Sequence, residues 1–231
     1  MNKIIPVQDI PAYLTAHHVR GIIFDIDGTL LDTMPMWSRL GSRYLRSKNI
    51  PPEDNLDALL FPMTLTESTA YLKEHYHLRQ SPAEIRQGLH EIMADFYRYE
   101  APLKEGAYEL LNRLHQAGFP MVLATAGEKD LEEAALQRVH VLSFFRKMFL
   151  CEDCGTTKKE AVIDHAASSY MHTRPEETLV VEDMYQALAA AWRDGFQTAS
   201  VFDQASASDQ DRIRKVSVYH LPDFHCMEIL K

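Results

Sequence analysis

Cysteine is scarce in this 231-residue chain: there are three, an odd number and too few for a disulfide framework. Long hydrophobic runs are missing too. No apolar stretch reaches the ~18 residues that a membrane helix needs. Pro6, Gln8, Asp9 and Pro11 interrupt the first twenty residues, so no secretory signal is expected there and the cytoplasm is the expected compartment. With 9 Gly and 11 Pro, collagen-like and low-complexity readings fail. Positive charge is in deficit, 24 Lys+Arg against 33 Asp+Glu, a formal net charge of −9. That balance argues against nucleic acid or an anionic membrane as a partner. A small anionic substrate would need a local cation.

What is present describes an ordinary globular protein: 46% hydrophobic and 25% charged residues, in a length that suits one or two domains. Short β-branched runs alternate with amphipathic stretches. Gly21-Ile22-Ile23-Phe24-Asp25 reads as a buried strand, and so do 120–125, 148–151 and 178–183, with weaker candidates at 198–202 and 216–220. Between them lie helical stripes: Leu110, Leu111 and Leu114 with Ala117; Val162, Ile163, Ala166, Ala167 and Tyr170; Leu188, Ala191 and Trp192, closed by Gly195. Strand and helix in alternation predict a doubly wound α/β core with a parallel sheet. Residues 34–101 break the alternation, with helical patterns only. Ser81-Pro82 reads as an N-cap and first helical residue before a stripe of Ile85, Leu89, Ile92 and Phe96. The expected organisation is a core at 1–33 and 102–231 with an inserted helical domain at 34–101.

The sharpest chemical signal is Phe24-Asp25-Ile26-Asp27-Gly28-Thr29-Leu30. An apolar strand ends in two carboxylates at i and i+2, a spacing that puts both on one side of a strand. The carboxyl ends of parallel strands are where α/β proteins build their sites. Two like charges there need a shared cation. An acidic pair that merely caps a turn is the bland alternative, and it weakens as the following residues fall into a pattern.

Asp25-x-Asp27-Gly28-Thr29 resembles the first motif of the haloacid dehalogenase superfamily of phosphotransfer enzymes. Three further elements are similar to that family's later motifs, in order: Thr125 at the end of 120–125, Lys158, and Glu182-Asp183 at the end of 178–183. Asp183 follows Lys158 by 183 − 158 = 25 positions, similar to the phosphoglycolate phosphatase and β-phosphoglucomutase branches. The helical insert resembles the C1-type cap. The resemblance implies a Mg²⁺-dependent phosphatase that acts on a small phosphorylated metabolite. Asp25 would be the nucleophile forming an aspartyl-phosphate, and Asp27 the general acid and base. Thr125 and the Ala126 backbone N–H would receive phosphoryl oxygens, and Lys158 would supply a fixed positive charge. The implied metal ligands are Asp25, the Asp27 main-chain oxygen and Asp183, with Glu182 nearby. Lys159 competes with Lys158 for one role, and spacing favours Lys158. The chain departs from the family pattern with Ala126-Gly127 after the Thr, where many relatives carry Asn or Ser, and with Lys158-Lys159 in place of Lys-Pro.

Asp27, two residues past the nucleophile, points to an oxygen leaving group and a phosphate ester rather than dehalogenation or phosphonate cleavage. A phosphomutase would use the same intermediate, and a catalytically silent phosphate-binding protein would be expected to have lost one of the acids. On the first cap helix Arg39, Arg43 and Arg46 form a basic stripe, read as a solvated face, with recognition of a second anionic group on the substrate as the alternative. Trp37, Leu40 and Tyr44 form the neighbouring apolar face. Cys151-x-x-Cys154 reads as two ordinary thiols. Zinc would want a second pair where only Cys226 and His225 are on offer, and His17-His18 and His75-x-His77 lack a metal-binding geometry.

Overall fold

The computed structural model describes residues 3–61, 63–156 and 159–231. Lys158 lies outside them. The chain divides into two compact units, Met1–Asp32 with Pro102–Lys231, and Thr33–Ala101.

Among the described residues the larger unit carries eight strands: β1 (Ile4–Pro6), β2 (Gly21–Phe24), β3 (Met121–Thr125), β4 (Met148–Leu150), β5 (Thr178–Glu182), β6 (Gln197–Val201), β7 (Tyr219–Leu221) and β8 (Cys226–Ile229). They form one sheet in the order β1-β8-β7-β6-β5-β2-β3-β4. From β4 to β7 every pairing is parallel. The helices of this unit are α1 (Ile10–Ala16), then α7 (Ala107–Gln116), α8 (Lys129–Arg138), α9 (Ala161–Met171), α10 (Tyr185–Arg193) and α11 (Gln210–Lys215); α2 to α6 belong to the smaller unit. β2, β3 and β5 are buried at every position, as strands covered on both faces must be. On one face Ile23, Val122, Ala124 and Val180 pack with Ile163, Ala167 and Met171 of α9 and Ala191 of α10. Ile22, Phe24, Met121, Leu123 and Val181, which alternate with them, are buried as well. Each such side chain contributes roughly 1.5–3 kcal/mol.

The sheet differs from the sequence expectation at one edge. β1 and β8 are antiparallel additions that no apolar run announced: β1 pairs with β8, and β8 with β7. Three residues ending in Pro6 carry too little pattern to read. The strand expected at 216–220 starts later, at Tyr219, because Val216 closes α11 with its N–H on the Ile213 carbonyl. Cys226 is part of β8, and all three cysteines are free thiols. Helical stripes are narrower than the apolar letters suggest. Val162, Tyr170 and Trp192 are exposed, whereas Asp164 and Ser168 of α9 are buried.

Among the described residues the regular elements of the smaller unit are helical: α2 (Met34–Trp37), α3 (Leu40–Ser47), α4 (Leu56–Leu60), α5 (Leu65–His75) and α6 (Pro82–Asp95), the last widening into a π-helical turn over Phe96–Glu100. Ser81 caps α6 in a reciprocal box with Glu84. α3 and α6 approach closely where Gly88 faces the fully buried Tyr44 ring. Arg43 of the basic stripe pairs with Glu100 at 3.3 Å and lies over the Phe96 ring, while Arg39 and Arg46 are exposed. Trp37, placed on the apolar face from the sequence, is 36% exposed and donates its indole N–H to the Tyr97 hydroxyl.

Candidate active site

β2 lies between β5 and β3, and the chain departs from it to opposite sides of the sheet. That is a topological switch point, where open α/β sheets form their sites. Register puts Phe24 level with Leu123 on one side and Val181 on the other. Asp25, Thr125 and Glu182-Asp183 therefore reach the same edge of the sheet.

Asp25 keeps its N–H on the Val181 carbonyl, so it still follows the ladder. One residue later the chain turns: the Ile26 carbonyl accepts from the N–H groups of Thr29, Leu30 and Leu31. Asp27 is placed by this turn and not by strand alternation, and it is half-buried. Gly28 has φ +79°, and a Cβ there would stand 2.6 Å from Asp183 Oδ2. The position thus requires glycine twice over, for the left-handed backbone and for the space beside the acid.

Three carboxylates converge. Oxygens of Asp25, Glu182 and Asp183 all lie within 4.8 Å of one another, and the three residues are 6%, 2% and 3% exposed. Burial pushes the Asp183 carboxyl well above its ordinary range, and the charges of Glu182 and Asp25 push it further. Burial likewise raises Glu182. Thr29, fully buried, donates its hydroxyl to Asp183 Oδ1 at 3.0 Å.

The cation in this group is Lys159. Its Nζ is 2.7 Å from Asp25 Oδ1 and 3.3 Å from Glu182 Oε1. Burial by itself would favour the neutral amine, but the charges of Asp25, Glu182 and Asp164 outweigh it and raise the lysine. Among the described residues, the lysine on the Asp25 carboxylate is therefore Lys159, the neighbour of the Lys158 that spacing favoured. The second oxygen of Glu182 accepts the Met184 N–H. Glu182 accordingly holds Lys159 and the turn after β5.

Thr125 is buried at the end of β3, and Ala126 follows it, exposed. The Thr125 hydroxyl oxygen accepts the Gly127 N–H at 2.9 Å and stands 2.7 Å from Glu132 Oε1. Two of these residues have no role in the sequence argument, Thr29 and Glu132, and Lys159 enters it only as the competitor of Lys158. Thr29 stands inside the first motif. Glu132 left a trace as an acid set within the apolar stripe of Leu131, Ala135 and Leu136 on α8.

Three buried carboxylates, two of them on the Lys159 ammonium, offer hard oxygen ligands that fit a small divalent cation such as Mg²⁺. Among the described residues no other cluster of His, Cys, Asp or Glu has metal-holding geometry. Cys151 is buried with its thiol pushed up to about 11, chiefly by that burial, which suits an inert core residue and not a reactive one. No helix among the described residues is long and apolar enough to cross a membrane.

Comparison with known proteins agrees with this geometry. The family described as haloacid dehalogenase-like hydrolase matches residues 22–201. The chain is 24% identical over 180 residues to validoxylamine A 7′-phosphate phosphatase of Streptomyces hygroscopicus subsp. limoneus, covering 75% of this chain and 81% of that protein. It is 26% identical over 173 residues to hexitol phosphatase A of Escherichia coli, covering 71% and 74%. In structure it is similar to a Thermotoga maritima protein provisionally named a β-phosphoglucomutase, with TM-score 0.81 at 21% identity over 90% of this chain and 95% of that one. It is also similar to a hydrolase from Deinococcus radiodurans with bound phosphate and sodium, with TM-score 0.70 at 16% identity over 90% and 93%. The chain belongs to the haloacid dehalogenase-like hydrolases, and the two relatives named above are phosphatases.

Proposed function

We propose that this protein is a Mg²⁺-dependent phosphatase that hydrolyses a small phosphate monoester through an aspartyl-phosphate on Asp25. The observation that carries the reading is the buried set of Asp25, Glu182 and Asp183 with Lys159 on the Asp25 carboxylate. Asp25, Asp183 and the Asp27 main-chain oxygen would hold Mg²⁺, with Glu182 beside them. Bound there, the ion supplies the positive charge that lets a carboxylate approach a phosphate dianion.

The chain's own residues do the rest. Lys159 fixes one Asp25 oxygen and leaves the other to attack phosphorus. As the ester bond breaks, Asp27 gives a proton to the leaving oxygen. It then takes one from the water that attacks the aspartyl-phosphate, returning free phosphate and Asp25. Thr125 and the Ala126 N–H receive phosphoryl oxygens, and the Lys159 charge is spread over nucleophile and phosphate. The phosphatase names of the relatives support a phosphate ester as the substrate class.

The test replaces Asp25 by Asn, which cannot form the acyl phosphate. Turnover of an aryl phosphate should fall at least about a thousandfold, with an unchanged circular dichroism spectrum. Near-normal phosphate release by folded Asp25→Asn overturns the reading. A mutase would differ in what discharges the phosphoenzyme. Free phosphate should appear in a single turnover without any sugar phosphate, and a phosphoenzyme that waits for one would favour the mutase.

A further inference from the structure

Glu132 is 1% exposed, one of the most buried acids in the chain. Its Oε1 meets Thr125 Oγ1 at 2.7 Å, and its Oε2 is buried with no hydrogen-bond partner among the described residues. Room for it exists because residue 127 is glycine: a Cβ there would collide with Glu132 Oε1. An acid with an orphaned oxygen in a dry setting costs stability. A leucine would fill the same helical position without that cost, so packing does not explain the residue.

The hydrogen-bond inventory of Thr125 does. A threonine hydroxyl has one proton and two acceptor sites. The Gly127 N–H uses one acceptor site. If Glu132 were ionised, the single proton of Thr125 would be spent on it, and none would remain for an anion. If Glu132 carries a proton, the same contact runs the other way. Glu132 then fills the second acceptor site, and the threonine proton is free.

We propose that Glu132 is a positioning residue of the phosphate site: as a neutral acid it donates to Thr125 Oγ1 and so turns the threonine proton toward a phosphoryl oxygen. The inference rests on the proposed function for one point, that Thr125 meets the phosphate. Among the described residues, the charged groups facing Glu132 are Asp27 and Asp25 from the loop after β2 and Lys159 from the segment before α9. Burial first, then the charge of Asp27, raises its carboxyl well above the usual range, with Asp25 adding to this and Lys159 opposing it. An arriving phosphate dianion would favour the proton on Glu132 further.

The experiment compares Glu132→Gln, Glu132→Leu, Thr125→Val and the Thr125→Val/Glu132→Leu double variant. Inorganic phosphate is titrated by calorimetry with Mg²⁺ present, KM and kcat are read on an aryl phosphate, and thermal melting is recorded for each. The Gln amide is a permanent donor, so Glu132→Gln should hold phosphate affinity and KM within about twofold. Glu132→Leu should weaken both by roughly tenfold or more while melting no lower than the parent. In the Thr125→Val background the Leu change should add nothing, because its effect passes through that hydroxyl. Equal loss in Gln and Leu would show that the negative charge is needed, and would overturn the proposal. Parental affinity in Glu132→Leu, or the same loss with and without Thr125, would overturn it too. If the parent protein binds phosphate but turns over no ester, the phosphatase reading fails, and the binding comparison still decides the role of Glu132.

Discussion

Lys159 joins the ends of two neighbouring strands, with its ammonium 2.7 Å from Asp25 after β2 and 3.3 Å from Glu182 at the end of β5. All three side chains are nearly inaccessible to solvent. Removing the cation would leave two buried carboxylates facing each other without a counter-charge, which typically costs about 3–5 kcal/mol. Lys159→Met should therefore lose most activity and melt lower than the parent in metal-free buffer, with Mg²⁺ restoring part of the melting temperature. Lys158→Ala should do neither. Activity and melting of the two variants side by side check the assignment, and a dominant loss in Lys158→Ala would return the role to that residue.

Asp183 is held by Thr29 and crowded by Glu182 and Asp25. Asp183→Asn should weaken Mg²⁺ activation. It should also raise metal-free stability, because one of three mutually repelling acids is gone. Thr29→Val, which only frees the carboxylate to rotate, should raise the Mg²⁺ requirement by roughly tenfold. Melting curves with and without Mg²⁺, beside activity against Mg²⁺ concentration, check both. An unchanged Mg²⁺ requirement in Asp183→Asn would take Asp183 out of the proposed ligand set.

Asp164 of α9 is buried, and its carboxyl is raised from 3.8 to about 7, first by that burial, with Glu182 and Asp194 adding to it while Lys159 and His165 oppose. A group whose folded pKa is raised binds its proton more tightly in the native state. Its contribution is complete below its unfolded pKa and is lost as pH rises through about 7. The melting temperature of the metal-free protein should fall between about pH 4 and pH 7, and Asp164→Asn should flatten that decline. An identical pH profile in the variant would show that another group carries the dependence.

In the smaller unit, Gly88 lies inside α6, where Ala would normally gain about 1 kcal/mol in helix propensity. Here a Cβ would stand 2.6 Å from Cε2 of Tyr44, whose ring is fully buried. Overpacking costs about 1–3 kcal/mol and outweighs the gain. Gly88→Ala should melt lower than the parent, measured by thermal denaturation with activity followed in parallel.

The central strands and the order of the motifs could be read directly from the residues. Gly21-Ile22-Ile23-Phe24 and Leu179-Val180-Val181 are continuous apolar runs because both faces of a parallel sheet are covered, and such runs survive as one-dimensional patterns. Ser81 and Pro82 announced α6 because capping is a local hydrogen-bond matter. The short antiparallel edge was not legible, since three or four residues with a proline carry almost no periodicity and take their pairing from distant chain.

The residue types at and just after the strand ends were determined by the sequence alone: Asp25, Thr125, Glu182 and Asp183, with Asp27 two residues past Asp25. Tertiary structure alone brought the Lys159 ammonium onto Asp25 and Glu182, because these three residues lie far apart along the chain and meet only when β2 and β5 pair. It also decided that Glu132 and Asp164, drawn from residue types that usually face water, are buried. The burial of an acid depends on what surrounds it, and for Glu132 those surroundings are the Thr125 hydroxyl, the space left by Gly127 and the charges of Asp25, Asp27 and Lys159, brought together only when the sheet forms.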